Sequence, residues 1–398
     1  MSRRRIIISI SQASFRRSLA AALGAFVLTL AVIVAPARGA DDEAAKKAKI
    51  AELIKNLGDA DAEIRHQAAQ SLRQMGQAVK DAIQSLIKGL EDPDAHVRSA
   101  AAGALGEIGP EAKDAAPALI KTLGGSDSGV RQSVAFALGR IDPGAKKVVP
   151  ELIKTLSSPD AHVRAGAADV LGRIGRKARE AVPALIKALD DPEADVRRHA
   201  ANSFGGIGRA AKEAVPALVK ALGDPEAGVR GDAAWALGWI GPAAKEAIPA
   251  LIKALGDPEA QVRWSAAFGL GRISSGAKEP VPALIEALDD PDVRVKKFAA
   301  VALGDIGPAA KEAVPSLIKA LDDPEEDHMQ EGAAIALGNI GPVTEEVVPA
   351  LIKALDGKDF YGRLAAADAL GHIGPEAKEA VPALIKALAG TEVNLNPA

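Results

Sequence analysis

The chain has 398 residues and carries 49 basic and 52 acidic side chains, so its formal net charge is −3. This acidic balance argues against nucleic acid as the main ligand, because proteins that bind a phosphate backbone usually present a basic face. Cysteine does not occur, which excludes disulfides, thiolate metal sites and cysteine catalysis.

Residues 1–40 have the three parts of an export signal. An apolar stretch runs from Leu19 to Val34, Ala35-Pro36-Ala37 supplies the small residues of a cleavage site, and five arginines come first: Arg3, Arg4, Arg5, Arg16 and Arg17. The alternative is an uncleaved N-terminal membrane anchor, because the apolar stretch is near the short end of the spanning length. Cleavage after Ala37 would leave 44 basic and 52 acidic residues, a net charge of −8. We therefore expect an exported protein of the periplasm or cell envelope, with membrane contact only through this segment if it is not cleaved.

Residues 41–389 repeat one sequence unit, and a tail follows at 390–398. A leucine recurs inside a segment close to A-V-P-A-L-I-K-A-L, with a spacing of 33 residues in every step except one of 34. These leucines are Leu53, Leu86, Leu119, Leu152, Leu185, Leu218, Leu251, Leu284, Leu317, Leu351 and Leu384. A period of this size indicates a supersecondary unit stacked on copies of itself. The pattern predicts ten helix pairs and one remaining first helix.

Each unit divides into two predicted helices. The first is seen at Ala181 to Leu189, with Pro183 in its opening turn, where a missing N–H costs nothing. Asp191-Pro192-Glu193 then starts the second helix, and the Asp is expected to cap its backbone amides. The second helix reads V-R-x-x-A-A-x-A-L-G-x-I-G, in which positions 1, 5, 8, 9 and 12 face the core. Glycine at position 10 predicts a close contact between adjacent second helices, because it otherwise costs about 1 kcal/mol in a helix.

These motifs resemble those of HEAT-repeat proteins, in particular the short-repeat branch named after phycobilisome lyases. The resemblance covers Asp42 to Ala389 and implies an all-α fold, a right-handed α-solenoid (α-α superhelix) of stacked helical hairpins of the ARM/HEAT type. It also implies a structural ladder formed by the Asp of the turn and the Arg that opens the second helix. The matching residues are Asp191 with Arg197, Asp224 with Arg230 and Asp257 with Arg263.

Positions 3, 7 and 11 of the second helix vary most, and they form one stripe opposite the core face. By the resemblance, second helices line the concave surface of a HEAT solenoid, so the stripe should face the groove. All three tryptophans lie in it on two adjacent repeats, at Trp235, Trp239 and Trp264, together with Phe268. Equivalent positions elsewhere hold polar residues such as Asp169, which predicts that the rings are exposed.

Arginines flank this group, at Arg198 and Arg272, and repeat three adds Phe136 and Arg140 in the same stripe. An exposed aromatic group beside arginines is typical of a binding hot spot. The alternative is that the rings fill the core, as we expect for Phe204 and Phe298. The pattern therefore predicts a site for a peptide or protein in the concave groove.

No catalytic arrangement is found in the sequence, and no cofactor or metal site is expected. Among HEAT proteins, deoxyhypusine hydroxylase holds two irons through repeated His-Glu pairs, whereas here His66, His199 and His328 are followed by Gln67, Ala200 and Met329. A related oxidoreductase activity, or a phycobilin-lyase-like role, is the alternative that these missing pairs disfavour. We expect a non-enzymatic protein–protein interaction scaffold.

The last helix lacks the polar outer face that a terminal repeat needs. It carries Val381, Leu384, Ile385 and Leu388 in the same pattern as the internal helices. Either the tail folds over this end, or the end docks on a second copy to form an end-to-end homodimer.

Overall fold

The computed structural model describes residues 41–124, 128–322, 327–357 and 359–392. All regular secondary structure within these ranges is helical. The chain divides into two units, Met1–Asn56 and Leu57–Ala398, and the described part of the first is a single helix, Asp41–Asn56. The predicted export signal and its cleavage site lie outside the described residues.

The second unit repeats one helical hairpin. Its second helices are each 14 residues long: Ala62–Met75, Ala95–Ile108, Ser128–Ile141, Ala161–Ile174, Ala194–Ile207, Ala227–Ile240, Ala260–Ile273, Val293–Ile306, Asp327–Ile340 and Phe360–Ile373. Its first helices are shorter: Ile83–Gly89, Ala116–Lys121, Val148–Thr155, Val182–Ala188, Val215–Ala221, Ile248–Ala254, Val281–Glu286, Val314–Leu321, Val347–Ala354 and Val381–Glu392. The predicted all-α solenoid of stacked hairpins is confirmed. The last helix continues to Glu392, three residues past the predicted end of the solenoid.

The link from a second helix to the next first helix is usually a seven-residue 3₁₀ segment that begins with glycine. At Gly208 the φ angle is 64°, a left-handed conformation that ends the helix and that residues with a Cβ rarely adopt. Such links run over Gly76–Ala82, Gly109–Ala115, Gly175–Ala181, Gly208–Ala214, Gly241–Ala247, Gly307–Ala313 and Gly374–Ala380. A shorter 3₁₀ turn, Ala287–Asp289, ends the first helix Val281–Glu286.

The turn inside a hairpin differs from the prediction at its first Asp. Asp191 is not the cap of the helix Ala194–Ile207; the N-cap residue is Glu193, and its side chain makes no capping hydrogen bond. Asp191 instead accepts a hydrogen bond from the Glu193 amide at 3.0 Å. Where an Asp stands at the N-cap position, as at Asp94, it does cap the helix, accepting from the His96 amide at 2.7 Å. The first Asp of the turn therefore serves contacts with the preceding repeat.

Those contacts form the ladder, and they join neighbouring repeats. The sequence grouped Asp191 with Arg197, Asp224 with Arg230 and Asp257 with Arg263 in a ladder along the stack. These residues do form a ladder, but each of the arginines pairs with the Asp carboxylate of the following repeat. Arg197 donates from Nε and Nη2 to the carboxylate of Asp224 at 2.7 and 2.9 Å. Its Nη1 donates to the backbone carbonyl of Asp191 at 3.0 Å. Because the carbonyl occupies one edge of the planar guanidinium, the other edge points to the following repeat.

The same bidentate pairs recur with little change along the stack. They join Arg65 to Asp92, Arg164 to Asp191, Arg230 to Asp257 and Arg263 to Asp290. The paired side chains are at most 14% exposed. From Arg164 to Asp290 the ladder is continuous, and it therefore fixes the register of the repeats that carry the predicted tryptophan site.

Adjacent second helices approach closely at the position-10 glycines, as predicted. A Cβ on Gly172 would lie 2.7 Å from the Cα of Ser203, and one on Gly271 would lie 2.8 Å from the Cα of Ala302. A larger residue at either position would push two backbones apart. Gly139 is an exception, because a Cβ there would meet nothing within 4 Å.

Candidate partner-binding surface

Five aromatic rings from three consecutive second helices form one contiguous group, which we call the aromatic cluster: Trp235, Trp239, Trp264, Phe268 and Phe298. Trp235 stacks on Phe268 with ring centroids 4.0 Å apart, and Trp264 stacks on Phe298 at 5.4 Å. Edge contacts of 5.8 to 6.1 Å connect the two stacks. Trp239 lies 6.0 Å from Trp235 and 5.8 Å from Phe268. The structure thus brings together all four aromatic residues that the sequence placed in one site.

Only Trp239 is exposed, at 46% of its surface; the other four rings are half-buried. The prediction that the whole group is exposed is therefore wrong for Trp235, Trp264 and Phe268. A position-7 side chain lies over the position-10 glycine of the preceding repeat: a Cβ on Gly238 would come within 2.7 Å of Phe268. Polar residues at this position differ in burial: Asp169 is only 9% exposed, whereas Asn202 and Asp368 are exposed. The rings at position 7 therefore pack on the position-10 glycines of the preceding repeat, and Trp239 is the ring of the cluster that is most exposed to solvent.

Phe298 is the residue that sequence reasoning missed. It was expected to fill the core, yet it is half-buried and its ring plane is 24° from that of Trp264. Phe298 is at position 4, outside the stripe, and it meets the position-3 ring of the preceding repeat. The signal that could have found it is an aromatic at position 4 following an aromatic at position 3 one repeat earlier.

The two predicted arginines have different neighbours, and only Arg272 is on a helix that carries rings of the cluster. The guanidinium carbon of Arg272 is 5.8 Å from the centroid of the Trp239 ring, which is cation–π distance. Arg198 belongs to the preceding helix Ala194–Ile207 and pairs with Asp195 at 2.8 Å. Arg272 therefore extends the exposed surface at Trp239, whereas Arg198 is engaged elsewhere.

Two carboxyl groups beside these arginines have raised pKa values. Burial raises the pKa of Asp232 to about 6, although the charge of Arg198 and a hydrogen bond from Asn202 partly offset it. Burial also raises the pKa of Asp305, with Arg272 acting in the opposite direction. Asp232 therefore changes charge near pH 6, and it lies on the same helix as Trp235 and Trp239.

Phe136 and Arg140 form a separate, smaller site. Phe136 is 38% exposed, and the guanidinium carbons of Arg73 and Arg140 are 5.8 and 6.0 Å from its ring centroid. A Cβ on Gly106 would lie 2.8 Å from this ring, so Phe136 also sits over a position-10 glycine. In the part of the chain that the structure describes, no ring contact joins Phe136 to the aromatic cluster.

Comparison with known proteins identifies the family. The sequence profile described as HEAT repeats matches residues 50–139, 116–203, 182–260, 248–338 and 314–395, which together span most of the chain. The chain belongs to the HEAT-repeat family. The finer assignment to the phycobilisome-lyase branch stays a prediction. A search of curated proteins gave no sequence match to this HEAT-repeat chain.

Solved structures of other solenoids share the fold. Importin beta is 17% identical with a TM-score of 0.58, and the match covers 87% of this chain and 53% of importin beta. Kap95p, in a structure concerned with RanGDP, is also 17% identical with a TM-score of 0.58, and the match covers 88% of this chain and 53% of Kap95p. Kap121p, in a structure with Nup53p bound, is 15% identical with a TM-score of 0.52, and the match covers 86% of this chain and 43% of Kap121p. The HEAT-repeat chain thus spans about half the length of these proteins or less, and the likeness is one of fold alone.

HEAT-repeat solenoids commonly mediate protein–protein interactions and are typically non-enzymatic. Within the described ranges of this chain, no group of three or more His, Asp or Glu side chains is arranged to hold a metal ion. Among the helices that the structure describes, none is long and apolar enough to cross a membrane.

Proposed function

We propose that this HEAT-repeat chain is an exported, non-enzymatic scaffold that binds a peptide or protein partner in its concave groove, through the aromatic cluster. The observation that carries the proposal is Trp239, which is 46% exposed, lies against the packed rings of Trp235 and Phe268, and is flanked by Arg272. Tryptophan and arginine are the residue types most enriched in binding hot spots. A half-exposed ring on a rigid base also loses little conformational entropy when a partner covers it.

The neighbouring solenoids give weaker support. Kap121p was solved with Nup53p bound, and Kap95p was studied for its binding to RanGDP. Both show that solenoids of this kind hold other proteins. They say nothing about which partner this chain binds, and its site must be tested on its own residues.

The site is tested with Trp239→Lys, which removes the exposed ring and leaves the packed rings in place. Peptides selected from a displayed random library on the wild-type protein should lose ~30-fold or more in affinity for this variant, corresponding to about 2 kcal/mol. Substitution of Trp235 or Trp264 is less suitable, because these rings pack against neighbours and their loss would destabilise the protein. Fluorescence polarisation with the selected peptides gives the dissociation constants.

The matched control is Val343→Lys, which places the same charge at an exposed apolar residue of a distant link. It should leave affinity unchanged. Equal loss in both variants, or none at Trp239→Lys, would contradict the proposal.

The C-terminal end of the stack supports a second proposal, an end-to-end homodimer through the last helix. Val381 and Leu388 are 51% and 69% exposed, whereas their internal equivalents Val182 and Leu189 are 2% and 7% exposed. Internal repeats bury these side chains against the next repeat, and a second copy would do the same here. Light scattering should show a dimer that Ile385→Glu dissociates; a monomer at all protein concentrations would exclude it.

A further inference from the structure

A cleft on the links between helices has an unusual charge. It has a volume of about 790 Å³ and is formed by three successive links, after the second helices Ser128–Ile141, Ala161–Ile174 and Ala194–Ile207. Two carboxylates, Glu180 and Glu213, line it together with five cationic side chains: Lys146, Arg176, Lys177, Arg179 and Arg209. The lining therefore carries a net charge of +3 in a chain whose formal net charge is −3.

Two of the arginines stand where most other links have proline. Arg176 and Arg209 follow the first glycine of their links, and the same position holds Pro110, Pro242, Pro308 and Pro375 in other links. The proline suits the first turn of the segment, because its φ is already set and its missing N–H costs nothing. Arginine brings no such benefit, so the structure of the link does not explain its presence in two successive repeats.

The five cations of the cleft have no acidic partner. In the part of the chain that the structure describes, no ion pair within 4.0 Å is formed by Lys146, Arg176, Lys177, Arg179 or Arg209. One link elsewhere does pair, as Lys80 contacts Glu111 of the next link, whereas Lys113, Lys245 and Lys311 form no ion pair with the described residues. The cleft therefore differs from other links in the number of its cations. Mutual repulsion among unpaired cations is unfavourable unless an anion neutralises it.

The backbone at one edge of the cleft is strained. Ala145, between the lining residues Gly144 and Lys146, has a φ of 57°, the only positive φ of a non-glycine residue in the described ranges. The Asp142 carboxylate holds this link by accepting from the amides of Lys147 and Val148 at 2.7 and 3.1 Å. Such a conformation costs on the order of 1 kcal/mol or more, and strain of this kind concentrates at functional sites.

We propose that this cleft binds an acidic peptide segment in an extended conformation, at a site separate from the aromatic cluster. Neighbouring repeats are roughly 8–10 Å apart, and an extended chain rises about 3.3 Å per residue, so carboxylates three residues apart would meet cations of successive links. Arginine forks bind carboxylates with two hydrogen bonds. Glu180 and Glu213 interrupt the positive lining, which disfavours a continuous anionic surface such as a membrane or a nucleic-acid backbone.

The test uses a fluorescein-labelled peptide with glutamate at every third position and glycine or serine between, measured by fluorescence polarisation on the full chain. Arg176→Pro with Arg209→Pro restores the residue that other links carry and should weaken binding at least tenfold. Lys245→Gln with Lys311→Gln makes the same change of charge in distant links and should keep affinity within twofold of the wild type. Circular dichroism checks that both double variants are folded. If the proline variant is not folded, Arg176→Gln with Arg209→Gln is used in its place.

Binding should also weaken steeply as salt rises, because the contacts are between exposed charges. The proposal would be overturned if the affinity were unchanged in the variant with both Arg176 and Arg209 replaced. It would also be overturned if a peptide with glutamine in place of glutamate bound equally well. Stronger, arginine-dependent binding of inorganic pyrophosphate, anionic vesicles or a DNA oligonucleotide would overturn it too, since each assigns the cleft to another ligand. Trp239→Lys should leave this binding unchanged, so the cleft and the aromatic cluster can fail independently.

Discussion

At the scale of single residues, the position-10 glycines determine how closely the second helices stack and where the rings can lie. Gly238 receives the edge of Phe268, and the backbone of the next helix follows at 3.1 Å from a built Cβ. The glycine is therefore part of the aromatic cluster although it has no side chain. Its counterpart Gly139 faces open space.

Gly238→Ala and Gly139→Ala should consequently change stability in opposite directions. At Gly238 the added methyl group overpacks the helix contact and should cost about 1–3 kcal/mol, with a change in tryptophan fluorescence as Phe268 shifts. At Gly139 it should stabilise by about 0.5–1 kcal/mol, because alanine favours the helix and nothing is displaced. Urea unfolding followed by circular dichroism measures both. A similar cost at the two positions would mean that helix packing does not depend on the ring.

Asp232 predicts an unusual dependence of stability on pH. Its pKa is raised from 3.8 to about 6 on folding, so the folded state binds the proton more tightly and this group adds stability as pH falls from about 6 towards 4. Above pH 6 the buried charge is unfavourable by up to about 3 kcal/mol. Asp232→Asn should therefore raise the melting temperature at pH 7.5 and have little effect at pH 4.

Asp292 provides the control of opposite sign. Its hydrogen bond with Arg294 lowers its pKa from 3.8 to about 2, so it stabilises the folded state above pH 4 and loses that effect as pH falls through 2. Asp292→Asn should lower the melting temperature at pH 7.5. If Asp232→Asn did the same, the carboxylate of Asp232 would be a favourable partner and the assignment of its pKa would be wrong.

At the scale of elements, the ladder couples each repeat to the next through a bidentate ion pair. The sequence predicted which residues take part but not the direction of pairing. That direction depends on the guanidinium of Arg197 binding the Asp191 carbonyl with one edge, a backbone contact that side-chain identity does not reveal. Asp191 was predicted to cap the second helix because its spacing from that helix suits a cap. Its contact with Arg164 of the preceding repeat depends on the fold and cannot be deduced from the sequence.

Arg230→Ala should cost about 3 kcal/mol, because it leaves the buried carboxylate of Asp257 without its partner. Within the described residues, the Arg98 side chain donates only to the backbone carbonyls of Asp92 and Pro93, at 2.8 and 2.9 Å. Arg98→Ala should therefore cost clearly less. Equal losses of unfolding free energy in urea would show that the carbonyl contacts, and not the ion pairs, stabilise the stack.

The ladder also predicts sensitivity to acid. Burial raises the pKa of Asp224 and Asp257, but hydrogen bonds from Arg197 and Arg230 and from the turn amides outweigh it, and the net pKa of each is lowered. A lowered pKa gives stability above the unfolded value of 3.8 that is lost as pH falls through the folded value. The melting temperature should fall below pH 4, and less steeply in Arg230→Ala; the same slope in both would contradict the role of these pairs.

At the scale of the whole molecule, the 33-residue period was sufficient to predict the family, the helix pattern and the glycine contacts, because each follows from local sequence repeated many times. Exposure within the aromatic cluster was not predictable in the same way. Whether Trp235 is covered depends on what its neighbours in the two adjacent repeats carry, and Phe298 joined the cluster through such a contact. The basic cleft was not predicted, because its cations lie in links and only the fold brings the cations of successive links together.

Export is a prediction at this scale, and it can be tested by mass. After expression in a bacterium and cell fractionation, the protein should be found in the envelope fraction. Its intact mass should be that of a chain that begins at Arg38. Ala35→Leu with Ala37→Leu should block cleavage and retain the full-length mass. A full-length wild-type protein in the cytoplasmic fraction would exclude the signal.

We propose above that a partner protein binds over the exposed ring of the aromatic cluster, Trp239. The most direct measurement replaces Trp239 with a photo-crosslinking phenylalanine analogue in the cell, in parallel with the same replacement at Val343. A discrete crosslinked partner is expected from position 239 and none from position 343. The absence of a crosslink at 239, or the same products from both positions, would contradict it.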